Sequence, residues 1–236
     1  SNFSRRSKIQ IMYLLEFFKK SKSTLLFIFF FSLIFVPILY FLVKPKTMLP
    51  VYNPVDVNPR LVDDAVKNVS RDHRIGNFHL VNQNGDSISE ANFEDKIYIA
   101  DFFFTRCQTI CPIMAINMSE LQEYYKNDKD IKFLSHSVTP DMDSVSILRD
   151  YADKNKAIDD KWEITTGKKT HIYELARKSY FAVLDEGDGG DQDFIHTEQF
   201  ILVDKKKQIR GFYDGTDARE IDRIIKDVEV LKNEDD

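Results

Sequence analysis

The chain has 236 residues, of which 43% are hydrophobic, so it is long enough for one medium-sized domain and additional segments. Its formal net charge of -5 argues against a nucleic acid as partner, because proteins that bind the phosphate backbone usually carry a basic surface. Only two cysteines are present, too few for a disulfide-stabilised scaffold, which makes the two thiols candidates for a functional site.

The chain begins with a basic segment, residues 1–23, followed by an apolar stretch, residues 24–43, that contains no charged residue. A helix of about 20 apolar residues crosses a bilayer. The apolar region of a cleaved signal peptide is usually shorter, about 7–15 residues. Because positive charge is denser before the stretch than after it, we predict a retained single-pass transmembrane helix with a cytoplasmic N-terminus. In a bacterium, the remainder would lie in the periplasm, anchored to the inner (cytoplasmic) membrane.

Prolines and a lack of periodicity over residues 44–60 predict an extended linker, which we continue to residue 74 with a short helix at Leu61 to Val69. The folded domain is assigned to residues 75–231. The acidic residues 232–236 are expected to form a frayed tail.

Within the domain, apolar runs typical of strands alternate with amphipathic patterns typical of helices. The predicted elements are a hairpin turning at Asn84-Gly85, strands at Tyr98 to Phe104, Ile131 to Val138 and Trp162 to Thr165, helices at Ile113 to Tyr125, Ser144 to Asn155 and Gly167 to Ser179, paired strands at Ile195 to Asp204 and Gln208 to Tyr213, and a helix from Asp217 to Leu231. This order predicts an α/β domain with a central mixed sheet and helices on both faces.

The two cysteines follow the buried strand at residues 98–104, at the point where the chain turns into a helix. Cys107 and Cys111 are four residues apart, and Pro112 is tolerated in the first helical turn. With Cys107 at the helix start, this spacing places both thiols on one side. The pair is suited to hold a soft metal ion or to close into a disulfide. Two buried structural thiols are the simpler alternative.

A metal held by two thiolates usually takes another donor, and five histidines are available. His196 is the strongest candidate, because it lies between an acidic, glycine-rich loop at residues 185–193 and a strand predicted to join the sheet. Thiolate with imidazole suits copper, whereas a structural zinc site normally has four protein ligands. A solvated histidine in a polar loop is the alternative reading of His196.

Four further polar residues have simpler explanations than a role in a site. His136 lies inside a buried strand and is expected to hydrogen-bond in the core, and His171 is expected to be exposed at a helix N-terminus. Asp141 and Asp143 follow a strand at the sheet edge of the cysteines. Turn or helix-cap roles are favoured for these two over a role in orienting a ligand or a partner.

The motif Phe103-Phe104-Thr105-x-Cys107-x-x-x-Cys111-Pro112, the N-terminal anchor and the downstream Asp193-Phe-Ile-His196-Thr197 together resemble the SCO/SenC family. Members of that family are membrane-tethered, thioredoxin-like copper proteins that help to assemble the CuA centre of cytochrome c oxidase. The resemblance covers roughly residues 75–231. It implies a thioredoxin-like fold and a copper ion bound by Cys107, Cys111 and His196. Thr139 stands in place of an acidic residue of the family's Asp-Pro run, so Asp141 and Asp143 receive no role.

We therefore predict a copper metallochaperone rather than an enzyme, with cytochrome c oxidase subunit II, the CuA subunit, and a periplasmic copper donor as partners. The enzymatic alternative is a thiol–disulfide reductase that keeps a partner's cysteines reduced. It would need Cys107 and Cys111 as its redox pair but not His196. A peroxide-reducing enzyme and a redox sensor are further alternatives. Because the periplasm favours disulfides, a thioredoxin-like reductase is also expected as a partner.

Overall fold

The structure, a computed structural model, describes residue 12 and residues 22–43, 48–62, 68–69, 71–183 and 195–235. The chain divides into two compact units, Ser1–Thr47 and Met48–Asp236. In the first unit, helix α1 (Lys22–Val43) coincides with the predicted apolar stretch, and its segment Lys22–Tyr40 is long and apolar enough to cross a membrane. The remainder of the predicted basic segment, apart from residue 12, lies outside the described residues.

The second unit is built on a mixed sheet whose described residues form seven strands in the order β2-β1-β5-β4-β3-β6-β7. The strands are β1 (His79–Asn82), β2 (Ser87–Ser89), β3 (Ile97–Phe103), β4 (Ile131–Ser137), β5 (Trp162–Thr166), β6 (Gln199–Val203) and β7 (Ile209–Asp214). The pairs β3–β4 and β4–β5 are parallel, and the remaining pairs are antiparallel. The predicted mixed sheet and its N-terminal hairpin are confirmed.

Helices cover both faces of this sheet. They are α2 (Ile110–Tyr124), α3 (Val145–Lys154), α4 (Lys169–Glu174), which continues as a π-helix over Leu175–Ser179, and α5 (Ala218–Asp235). Short 3-10 helices lie at Pro54–Asp56, Pro59–Leu61 and Glu90–Phe93.

Strand β3 is the centre of the core, because all seven of its residues are buried. Alternate side chains of a strand point to opposite faces. Ile99 and Phe103 accordingly pack with Met118 and α5 on one face, while Tyr98 and Phe102 pack with the aromatic residues around the π-helix on the other. Burial on both faces explains the nearly continuous apolar run that marks this strand in the sequence.

The described part of the predicted linker differs from expectation, because residues 48–62 belong to the second unit. The backbone N–H of Tyr52 donates to the carbonyl of Ile209 at 2.9 Å. The guanidinium of Arg210 donates to the carbonyls of Leu49 and Pro50 at 2.8 and 3.1 Å. A buried guanidinium needs acceptors, and this segment supplies two of them, which periodicity in the sequence does not reveal.

The C-terminal residues also differ from the expected frayed tail, because α5 continues to Asp235. Glu234 accepts a hydrogen bond from Arg210 Nη2 at 2.5 Å. Residues 63–67 of the short helix predicted at Leu61 to Val69 lie outside the described residues.

Candidate metal centre

The cysteines lie on the turn that leads from β3 into α2. The backbone N–H of Cys107 donates to the carbonyl of Phe104 at 3.2 Å and closes this turn. Helix α2 begins only at Ile110, after Thr109 at the N-cap. Cys107 therefore precedes the helix instead of starting it, and the helix begins three residues before the predicted Ile113. The turn stands at the carboxyl end of a central parallel strand, where open α/β sheets place their sites.

The structure brings the two cysteines together, with Cys107 in the turn and Cys111 in the helix that follows it. Both are free, Cys107 is partly exposed and Cys111 is buried in the first turn of α2. The backbone N–H of Cys111 donates to Cys107 Sγ at 3.4 Å, and the hydroxyl of Thr109 lies 3.6 Å from the same sulfur. Within this pair, one sulfur is accessible to a partner molecule and the other lies behind it.

The surroundings of the two thiols separate their acidities. Burial raises the pKa of the Cys107 thiol, but hydrogen bonds from the backbone N–H groups of Cys111 and Thr109 outweigh burial and lower the pKa to about 7. Burial raises the pKa of the Cys111 thiol to about 12. Because the thiolate is the nucleophile and the metal ligand, Cys107 is the reactive member at neutral pH.

Asp101 is a second titratable group near the pair that the sequence analysis missed. It is buried on β3, where the hydroxyl of Ser135 donates to it, and Trp162 Nε1 donates to that hydroxyl at 2.8 Å. Burial raises the pKa of Asp101 to about 7, and its charge is one of the causes that raise the pKa of Cys111. An acidic residue within an otherwise apolar strand was the signal available in the sequence.

Asp143 is another polar residue at this sheet edge, and it is fully buried, with a relative exposure of 0%. Its carboxylate accepts hydrogen bonds from Thr105 Oγ1 at 2.6 Å, Ser137 Oγ at 2.5 Å and Thr139 Oγ1 at 2.9 Å. The turn role favoured from sequence therefore describes only part of what this residue does. Asp141 is exposed.

The structure does not unite the third predicted ligand with the thiols. Among the residues described, no group of three or more His, Cys, Asp or Glu side chains is placed to hold a metal ion. His196 is exposed and lies just before β6, which begins at Gln199 rather than at the predicted Ile195. Because β6 runs antiparallel to β3, its first residues lie at the same sheet edge as the cysteine turn. The loop at residues 185–193 lies outside the described residues, and His196 as a ligand stays a prediction.

Two other histidines lie on the opposite face of the sheet from α2. His136 is buried beneath Phe102, with ring centroids 5.0 Å apart, and its Nδ1 lies 3.2 Å from Thr165 Oγ1, as expected for a core histidine. Burial lowers the pKa of His136 to about 3. His171 is half-buried rather than exposed, because α4 packs its first turn against the sheet.

Comparison with known proteins agrees with this geometry. The sequence profile of the SCO1/SenC family matches residues 66–233. The chain belongs to the SCO1/SenC family. Over 153 residues it is 35% identical to the SCO1 protein homolog of Bacillus subtilis (strain 168), an alignment that covers 64% of this chain and 79% of that protein.

Two solved Sco structures share the fold of this SCO1/SenC protein. One is BsSco, a member of the Sco family of cytochrome c oxidase assembly proteins, and a disulfide switch was identified in BsSco. It matches with a TM-score of 0.58 at 33% identity, over 67% of this chain and 93% of BsSco. ScoI of Arabidopsis thaliana with copper bound matches with a TM-score of 0.53 at 25% identity, over 65% of this chain and 97% of that one. The mixed sheet with flanking helices is thus the thioredoxin-like fold of Sco proteins.

Proposed function

We propose that this SCO1/SenC protein is a membrane-anchored metallochaperone that carries copper to the CuA centre of cytochrome c oxidase, on subunit II. The observation that carries the proposal is the thiol pair at the β3–α2 turn, with Cys107 accessible and Cys111 directly behind it. Copper bound to Arabidopsis ScoI and the assembly role of the Sco family support copper as the cargo.

Cys107 and Cys111 would bind the copper ion as thiolates, with His196 as the third ligand. Soft thiolates favour Cu(I), and imidazole is compatible with both common oxidation states of copper. The exposed His196 precedes β6 at the sheet edge that also carries the cysteine turn, so a displacement of the segment before β6 would bring its imidazole to the sulfurs. Binding and release of copper would then be controlled by the position of this imidazole.

The apolar helix α1 would serve as the membrane anchor, with the N-terminus in the cytoplasm and the thioredoxin-like domain in the periplasm. In that compartment, copper-free Cys107 and Cys111 are expected to oxidise to a disulfide. A thioredoxin-like reductase and a periplasmic copper donor are therefore part of the proposal.

The difference in acidity between the two thiols favours a thiol–disulfide reductase as the second candidate function. In that reaction, the Cys107 thiolate attacks a partner's disulfide, forms a mixed disulfide and releases one partner thiolate. Cys111, after losing its proton, attacks Cys107 Sγ, releases the second partner thiolate and leaves a Cys107–Cys111 disulfide. Two electrons from a thioredoxin-like reductase would restore the dithiol.

Copper content after loading with Cu(I) under reducing conditions tests the proposal on the full chain in detergent. The wild type is expected to bind one copper ion. The double variant Cys107→Ser/Cys111→Ser should bind none, and His196→Ala should bind copper more weakly. His79→Ala is the matched control, because His79 is an exposed histidine on β1, away from the thiol turn.

Wild-type copper content in the double cysteine variant would refute the chaperone proposal. The two candidate functions differ in whether they require His196. Oxidase assembly in vivo that survives His196→Ala but not a cysteine substitution would favour the reductase.

A further inference from the structure

The turn that carries the thiols contacts the segment after β4 through the buried side chain of Asp143. At the surface, the Arg106 guanidinium also lies 3.3 Å from Met142 Sδ. Thr105, two residues before Cys107, donates its hydroxyl to Asp143 Oδ1 at 2.6 Å, and its backbone N–H lies 3.4 Å from Oδ2. Both hydrogen-bond donors of Thr105 are thus directed at the same carboxylate. Thr105 and the turn that follows it cannot shift without breaking these contacts.

The carboxylate is itself fixed from the other side. Ser137 at the end of β4 and Thr139 in the following turn both donate hydroxyl hydrogen bonds to Oδ2. The backbone N–H of Asp143 also donates to the carbonyl of Thr139 at 2.9 Å. A fully buried carboxylate is costly unless it is hydrogen-bonded, so these donors and the acceptor hold one another in a single arrangement.

The restraint extends from Thr105 to the sulfur over a short path. The turn is closed by the Cys107 N–H on the Phe104 carbonyl, and Cys107 Sγ in turn accepts from the Cys111 N–H. At the base of the turn, the Val138 N–H donates to the Phe103 carbonyl at 2.8 Å and joins β4 to the end of β3. Asp143 is the buried side-chain contact that continues this strand pairing past the end of the sheet, beside the exposed contact of Arg106 with Met142.

We propose that Asp143 is a positioning residue for the thiol pair, which acts through Thr105 to hold Cys107 at the distance from Cys111 that copper binding requires. The role rests on the proposed copper function but not on the identity of the third ligand. It assigns to Asp143 more than a turn or cap role, since Ser144 at the N-cap of α3 makes no side-chain capping bond.

The test uses the full reduced chain in detergent and two measurements. Asp143→Asn removes the charge, and Thr105→Val removes the hydroxyl with little change in shape. Both are expected to accelerate amide hydrogen exchange across residues 104–111 about tenfold in the copper-free protein. Both are also expected to weaken Cu(I) binding, measured by competition with a chelator, by about 10- to 100-fold.

Two matched variants separate positioning from a general loss of stability. Thr105→Ser retains the hydroxyl and should restore both measurements to near wild type. Thr165→Val removes a buried hydroxyl elsewhere, the one that donates to the Ser135 carbonyl at 2.9 Å, and should leave residues 104–111 and the copper affinity unchanged.

The proposal is overturned if Thr105→Val matches Thr165→Val in both measurements, or if Thr105→Ser is as impaired as Thr105→Val. Should Asp143→Asn fail to fold, the Thr105 pair alone decides. A wild-type protein that binds no copper would refute the proposed function, while the exchange measurement would still decide the role of Asp143.

Discussion

Replacement of Arg210 by Met tests whether the segment after α1 is part of the folded domain. The Arg210 side chain is only 7% exposed and forms ion pairs with Asp204 at 2.9 Å and Glu234 at 2.5 Å. It also donates to the carbonyls of Leu49 and Pro50. Methionine approximates the aliphatic part of the side chain, so the main effect is to leave two buried carboxylates without their cation.

Loss of one partner from a buried ion pair costs about 3–5 kcal/mol. For a domain of this size, about 1 kcal/mol lowers Tm by about 2–4 °C, so Arg210→Met is expected to lower Tm by roughly 10 °C. Urea unfolding of the reduced, copper-free chain, followed by fluorescence, measures the free energy. Limited proteolysis should show faster cleavage near Leu49, because its carbonyl accepts from Arg210 and its backbone N–H donates to Glu234 Oε1 at 2.6 Å.

Arg219→Met is the matched control, because Arg219 is 89% exposed and pairs with Asp217 only at the surface. It is expected to leave the unfolding free energy nearly unchanged, because solvent screens an exposed ion pair. Adding Asp204→Asn and Glu234→Gln to Arg210→Met should recover part of the loss, because the uncompensated charges are removed. Equal unfolding free energies for Arg210→Met and Arg219→Met would refute the reasoning.

Three further predictions follow from acidities. Neutral His136 stabilises the fold above the pKa of an unfolded histidine, about 6.5, and this contribution is lost as the pH falls towards 3. His136→Phe should therefore flatten the pH dependence of the unfolding free energy, measured with urea between pH 6.5 and 4. Identical slopes for wild type and variant would contradict this. At pH 7, iodoacetamide should label Cys107 at least about tenfold faster than Cys111, as mass spectrometry of the peptides will show, and equal labelling would argue against the assigned acidities. Both thiols are protonated below pH 7 and only Cys111 above it, so copper binding should release about two protons from the thiols below pH 7 and about one above it. The slope of the logarithm of copper affinity against pH measures this number. An affinity independent of pH would exclude a dithiolate site.

Local patterns in the sequence account for most of the secondary structure and for the place of the two cysteines at the strand-to-helix turn. The alternation of apolar runs and amphipathic stretches predicted the strands and helices, and the hairpin turn at Asn84-Gly85 needs a glycine, since Gly85 has a φ of +83°. The spacing of Cys107 and Cys111 predicted a dithiol at the strand-to-helix turn, but the condition attached to it, Cys107 at the helix start, is not met.

The partnerships of the buried polar residues were not predictable in this way. Asp143 meets Thr105 across 38 positions of sequence, and Arg210 meets Leu49 across 161. Asp101 was hidden within an apolar run, and its contact with Ser135 depends on the register of β3 and β4. Such contacts depend on strand order and register, which no local pattern encodes.

The sequence by itself determined that a dithiol stands at a strand-to-helix turn, because apolar periodicity, proline placement and cysteine spacing act over only a few residues. Only the tertiary structure decided that Thr105 in the turn hydrogen-bonds to Asp143, that the two thiols differ in acidity, and that residues 48–62 belong to the domain. Burial and hydrogen bonding between distant segments arise only when the sheet is assembled, and they set both the acidity of a thiol and the cost of an unpaired charge.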